Sequence, residues 1–76
     1  MPLKPLPFRE VKRRLEAAGF AEISSKGSHY KFAKFTNEGT WVVIVPHHTE
    51  VSVGTLRSIL RQANLSIEEF AALTKH

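Results

Sequence analysis

The chain has no cysteine. Neither a disulfide framework nor a Cys-type zinc site is open to it, which fits a cytosolic protein. Long apolar runs are also missing. The longest covers residues 41–45, against the roughly 20 residues that span a bilayer. The start, Met1-Pro2-Leu3-Lys4-Pro5-Leu6-Pro7, holds three prolines and no apolar signal core, so neither secretion nor membrane insertion is expected. There is no glycine-rich phosphate loop, no Ser-His-Asp or Cys-His set, no repeat and no low-complexity tract. The paired carboxylates Glu68 and Glu69 fall at the start of a helix rather than in an acid–base site. Most enzyme classes lose their support on these grounds.

Acidic residues are few as well, seven against eleven Lys and Arg, for a formal charge of +4. The imbalance is local. Residues 1–34 hold eight of the bases and three of the acids, and the remainder holds three bases and four acids. A basic half on a small domain points to phosphate contact, with simple solvation as the alternative. Seventy-six residues make one domain, 1–76, which buries only about 60% of its unfolded surface. Its stability falls on the order of 4–11 kcal/mol. A core that thin leaves no deep pocket, so any active site is an open patch suited to a polymeric substrate.

Hydrophobic spacing divides the chain. Pro7 suits the first position of a helix. Phe8, Val11, Leu15 and Ala18 repeat at helical spacing, Gly19 ends the run, and Arg9, Lys12, Arg13 and Glu16 face outward. Residues 20–25 suit a short strand, with Lys26-Gly27 as a turn. Residues 28–35 alternate: Tyr30, Phe32 and Lys34 share one face, and His29, Lys31, Ala33 and Phe35 share the other. Thr36-Asn37-Glu38-Gly39 reads as a hairpin loop, followed by a strand over 40–45 closed by Pro46. Leu56, Ile59, Leu60 and Ala63 form a second helical face, with Ser52 as N-cap and Asn64 after its end. Ser66 and Glu69 fit a capping box, with Leu65 and Phe70 as the matching staple, so a last helix covers about 67–73.

The expected class is α+β: an α-β-β-β-α order with a three-stranded antiparallel meander and a short extra helix at the C-terminus. Two helices at the ends of a meander cover one face only. With Tyr30 and Phe32 beneath them, His29 and Lys31 turn outward. Trp41 alternates with Val43 and Val45 and is expected in the core, leaving Thr40, Val42 and Ile44 on the open face as an apolar strip that suits a protein partner.

The chemistry-bearing segment is Lys26-Gly27-Ser28-His29-Tyr30-Lys31. Imidazole titrates near neutrality, and RNA carries its own nucleophile, the 2′-hydroxyl beside each phosphate. A histidine to move that proton and ammonium groups to stabilise the phosphorane suffice for cleavage, with no metal or cofactor needed. Taken alone, His29 reads more readily as a strand-end residue packed on the sheet, since most histidines do no chemistry. His47 and His48 follow Pro46; neighbours on an extended chain point opposite ways, and no spacing completes a metal ligand set. They read as loop histidines, with His48 kept as a candidate RNA contact. His76 is terminal. Arg57 and Arg61, one helical turn apart, suit either phosphate or solvent.

Taken together, certain segments resemble a family. Ala17-Ala18-Gly19-Phe20, Gly27-Ser28-His29, Pro46-His47-His48, the run from Gly54 to Ala63, and Leu65-Ser66-Ile67-Glu68-Glu69-Phe70 are similar to the HicA toxins, the YcfA-like proteins. Asn64 stands where glycine is common, and the Pro-rich start lies outside the motifs. The resemblance implies a double-stranded-RNA-binding-like fold in a bacterial or archaeal cytoplasm. It implies an mRNA-cleaving toxin whose catalytic residue is His29. Lys26, Gly27, Ser28 and Lys31 are then expected to bind or stabilise phosphate, with Lys12, Arg13 and His48 as peripheral RNA contacts and no metal. The expected partner is a HicB-type antitoxin over the open sheet face, with DNA reached only through that antitoxin. The same fold also serves non-catalytic RNA-binding domains, which is the alternative reading. A purely protein-binding module is the third.

Overall fold

The structure is a computed structural model that describes residues 3–73; His76 lies outside the described residues. Its order is α1 (Phe8–Ala17), β1 (Ala21–Lys26), β2 (His29–Thr36), β3 (Gly39–Pro46), α2 (Val53–Ala63) and α3 (Ile67–Ala72). The three strands form one antiparallel sheet in the order β1-β2-β3, the α-β-β-β-α meander expected from the hydrophobic spacing.

The sheet's two faces follow from register. Phe32 lies opposite Val43 and Tyr30 opposite Val45, and Phe32, Val43 and Val45 are fully buried. Val11 and Leu15 of α1, Leu56 and Ile59 of α2 and Phe70 of α3 complete the same core with no exposure. The alternate residues Lys31, Val42 and Ile44 are all exposed. Ala33 is buried without lying under a helix; by register it sits between Ala21 and Val42, where a methyl group is short enough to be covered by its neighbours.

Three expectations need correction. Pro7 is not the first helical residue: its ψ of 154° is extended, and it acts as N-cap. Its carbonyl accepts the Glu10 and Val11 N–H groups, so its fixed φ serves the helix from one position further out. The first strand pair turns one residue later than expected, at Gly27-Ser28, and Lys26 and His29 close the ladder. Trp41 falls on the helix side by register, opposite Lys34, yet remains 36% exposed. Two further pairs, Phe35 with Thr40 and Thr36 with Gly39, separate its row from the β2–β3 turn, so it sits towards the hairpin end of the sheet, at the margin of what the helices cover.

Caps behave as expected. Ser52 accepts the Thr55 N–H at 3.3 Å, and Asn64 takes the left-handed conformation that ends α2. In α3 the Ser66 and Glu69 side chains each accept the other's backbone N–H. The Ser66 backbone N–H, and after it the Ser66 hydroxyl, hold the Glu69 carboxyl below its ordinary pKa.

Other ties were not visible in the sequence. Leu6 and Val51 exchange both backbone hydrogen bonds, at 3.1 and 2.6 Å. The flanking Pro5 and Pro7 lack N–H groups, so the bridge stays a single pair. It gives the proline-rich start a structural role, since Leu6 packs against the core. The outer edge of β3 is capped by α2, where Gln62 Oε1 accepts the Ile44 N–H at 2.9 Å. In β1 a bulge between Glu22 and Ser24 breaks the register, an irregularity that discourages edge-to-edge pairing.

The face assignment has a direct test in urea unfolding. Val43→Ala is expected to cost about 2 kcal/mol, two buried methylene equivalents with a cavity contribution. Val42→Ala, one residue away, is expected to stay within about 0.5 kcal/mol.

Candidate functional site

The open face is read row by row from the two registers. Lys26, His29 and Pro46 form the end row, followed by Ser24, Lys31 and Ile44, then Ala21, Ala33 and Val42, and finally Phe35 and Thr40. Two cations and one imidazole stand in the first two rows. No carboxylate appears in any of them. Directly opposed side chains on an antiparallel pair stand roughly 4.5–5.5 Å apart at Cβ, so Lys26 and His29 are neighbours. Lys31 lies one pleat repeat along, about 7 Å.

The turn before His29 is set by Gly27. Its φ is +59°, and Ser28 is not among the residues with positive φ, the pattern of a type II′ hairpin with glycine first. The turn is anchored on its far side: the Ser28 carbonyl accepts the His47 N–H at 2.6 Å. That bond joins the β1–β2 turn to the loop after β3. His47 in turn packs its ring 4.6 Å from Phe8 and 5.3 Å from Tyr30, and Phe8 and Tyr30 are 4.8 Å apart. An aromatic cluster on the helix side thus fixes the backbone that carries His29 on the open side. Sequence reading took His47 as a plain loop residue. The signal it missed is long-range, since residues 8, 30 and 47 belong to three separate elements.

Lys26, Gly27, Ser28, His29 and Lys31 are brought together and all are exposed. His48 lies two residues beyond Pro46 and is also exposed; its N–H bonds the Pro46 carbonyl at 3.0 Å in a tight turn. Lys12 and Arg13 are elsewhere. They ride on α1, which packs against the other face, and both are in ion pairs: Lys12 Nζ is 3.2 Å from Glu22, and Arg13 donates to Glu10 at 2.5 Å. Arg14 donates to the same Glu10 at 2.8 Å. The two guanidinium groups hold the Glu10 carboxyl below its ordinary pKa. The exterior of α1 is therefore largely neutralised on this side. Among the described residues, no three His, Asp or Glu side chains gather into a metal-binding group, and no helix is long and apolar enough to cross a membrane.

At the other end of the open face the character changes. Phe35 is 73% exposed, and Val42 and Ile44 are about as exposed as Trp41. A basic, acid-free strip thus runs into an apolar one on a single surface.

A three-stranded antiparallel sheet with helices on one face and an exposed, histidine-bearing basic row on the other defines a small α+β domain with one face left open. Residues 8–65 match the family described as "HicA toxin of bacterial toxin-antitoxin". The chain belongs to that family and has the toxin role in such a pair, alongside a partner antitoxin. Among curated proteins none matches it.

An added Cβ at Gly27 meets nothing within 4 Å, so the cost of Gly27→Ala is conformational rather than steric. The variant is expected to lose about 1–2 kcal/mol, from the left-handed backbone alone. Chemical denaturation measures it, and a wild-type midpoint would show that the turn is not held at positive φ.

Proposed function

We propose that this toxin is an endoribonuclease that cleaves mRNA and so arrests translation, with His29 as its proton-transfer residue. The observation that carries the reading is the acid-free end of the open face, where Lys26 stands across from His29 and Lys31 follows it. Such a surface attracts a phosphate backbone. A strand of RNA laid there brings a phosphate among three groups of the right chemistry.

His29 acts as general base or acid in a transesterification or hydrolysis that requires no metal. As base it removes the proton of the attacking hydroxyl as the new P–O bond forms. The bond to the leaving oxygen then breaks, and that oxygen takes up a proton. Lys26 and Lys31 stabilise the charge that builds on the phosphorane oxygens. Gly27 lets the backbone come close to the strand, and Ser28 orients the imidazole or the substrate. His48 is a peripheral contact. Lys12 and Arg13, in ion pairs on the far side of the sheet, reach RNA only if the strand continues around the domain. With one histidine for two proton transfers, turnover is slow.

The antitoxin, of HicB type, covers the open face through Phe35, Val42 and Ile44, whose exposure side by side suits a protein contact. Covering that strip also shuts RNA off from His29. DNA is met only through the antitoxin.

The test is cleavage of a long single-stranded RNA in EDTA. His29→Ala is expected to reduce cutting about 10²- to 10⁴-fold, the usual contribution of a positioned acid–base group, with an unchanged melting temperature. Equal cutting by both proteins would remove His29 from the chemistry. Salt-sensitive binding by both with no cutting, on free or ribosome-bound message, would make the chain an RNA-binding domain instead. For the partner, Val42→Asp is expected to weaken antitoxin affinity about tenfold or more while RNA cleavage persists; unchanged affinity would place the antitoxin on another surface.

A further inference from the structure

The sheet end that carries His29 has a cleft on its opposite, helix-covered side. It has a volume of about 380 Å³ and is lined by Pro7, Phe8, Arg9, His47, His48 and Thr49. It is open to solvent and large enough to take a single base. One wall is fixed: His47 is packed on Phe8 and Tyr30 and tied to Ser28. The rim is polar and open, since Arg9, His48 and Thr49 are exposed. Arg9 differs from its helix neighbours. Lys12, Arg13 and Arg14 are all in ion pairs with glutamates, whereas Arg9 has no carboxylate partner among the described residues, and no acid lines the cleft.

We propose that this cleft is a nucleotide subsite for single-stranded RNA, with an unpaired base against the His47–Phe8 wall and its phosphate at Arg9. Aromatic walls accept any base through stacking, and a guanidinium without a carboxylate partner is the natural phosphate contact. The strand is the same one that reaches His29: Pro46 pairs with His29 and immediately precedes His47, so the two positions lie on opposite sides of one strand end. The subsite makes unpaired RNA the substrate, because a stacked, paired base cannot enter it. Its role in cutting rests on the ribonuclease reading; its occupancy by RNA does not.

The probe is a fluorescent single-stranded hexaribonucleotide, titrated into the full chain carrying His29→Ala, with amide shifts followed by NMR. The signals of Arg9 and of residues 47–49 are expected to move together with those of residues 27–31. Adding Arg9→Ala is expected to weaken binding about tenfold and to lower the salt slope by about 0.7, one single-strand phosphate contact. Arg9→Lys recovers most of the slope, and the melting temperature stays put. Shifts confined to residues 26–31, or an Arg9→Ala variant with unaltered affinity and slope, would overturn the subsite. An Arg9→Ala effect on antitoxin affinity with none on RNA would also overturn it, giving the cleft to the protein partner. Wild-type cleavage separates the two readings. Cutting that proceeds with no Arg9 effect on binding removes the subsite alone. An Arg9 effect in a chain that never cuts keeps the subsite and removes the ribonuclease.

Discussion

Phe32 and Val43 oppose each other at the centre of the sheet, beneath helices too few to cover more than one side of it. Their burial fixes the phase of both strands. In a pleat of period two every second residue is then committed to the other face, so His29, Lys31, Val42 and Ile44 point outward as a consequence of what lies inward. A slip of one residue would bury a lysine and expose a phenylalanine. The register is therefore held by a penalty far larger than any single surface contact, and the candidate site inherits that precision without having to stabilise itself. This suits a chain whose core is thin.

The open face is chemically divided along its length. One end is basic and carries the imidazole; the other is apolar, with Phe35 largely exposed. A polyanion and a protein favour different halves of such a surface, yet the halves are continuous. A partner seated on the apolar rows also stands over Lys31 and His29. Under the proposed function, an antitoxin seated on the apolar rows would inhibit by occlusion alone, with no conformational change. The backbone under His29 is held from behind, through Ser28, His47, Phe8 and Tyr30, which keeps the open side free for ligands.

Much of this was legible in the sequence because it depends on local periodicity and caps. The helical spacing of Val11 with Leu15 and of Leu56, Ile59 and Leu60, the Ser66–Glu69 capping box and the left-handed Asn64 are all properties of a few adjacent residues. The outward turn of His29 followed from the same logic. What escaped depends on contacts between distant segments or on the exact phase of a turn. The Leu6–Val51 bridge, the Gln62 cap on β3 and the seat of His47 join residues more than fifteen positions apart. The β1 bulge leaves no compositional mark. Trp41 was placed on the correct side by alternation but not at the correct depth, because depth depends on how far the helices extend over the sheet. Lys12 and Arg13 were grouped with the site on charge alone, and their glutamate partners became visible only in three dimensions.

In the proposed function, RNA is bound and cut at the His29 end of the open face. The most direct measurement is a structure of the intact wild-type chain bound to a single-stranded RNA whose 2′-hydroxyls are methylated, so that the strand is held without being cut. One phosphate is expected within hydrogen-bond reach of the His29 imidazole, with Lys26 and Lys31 against its oxygens. RNA lying across the outer surfaces of α1 and α2, with His29 open to solvent, would contradict it.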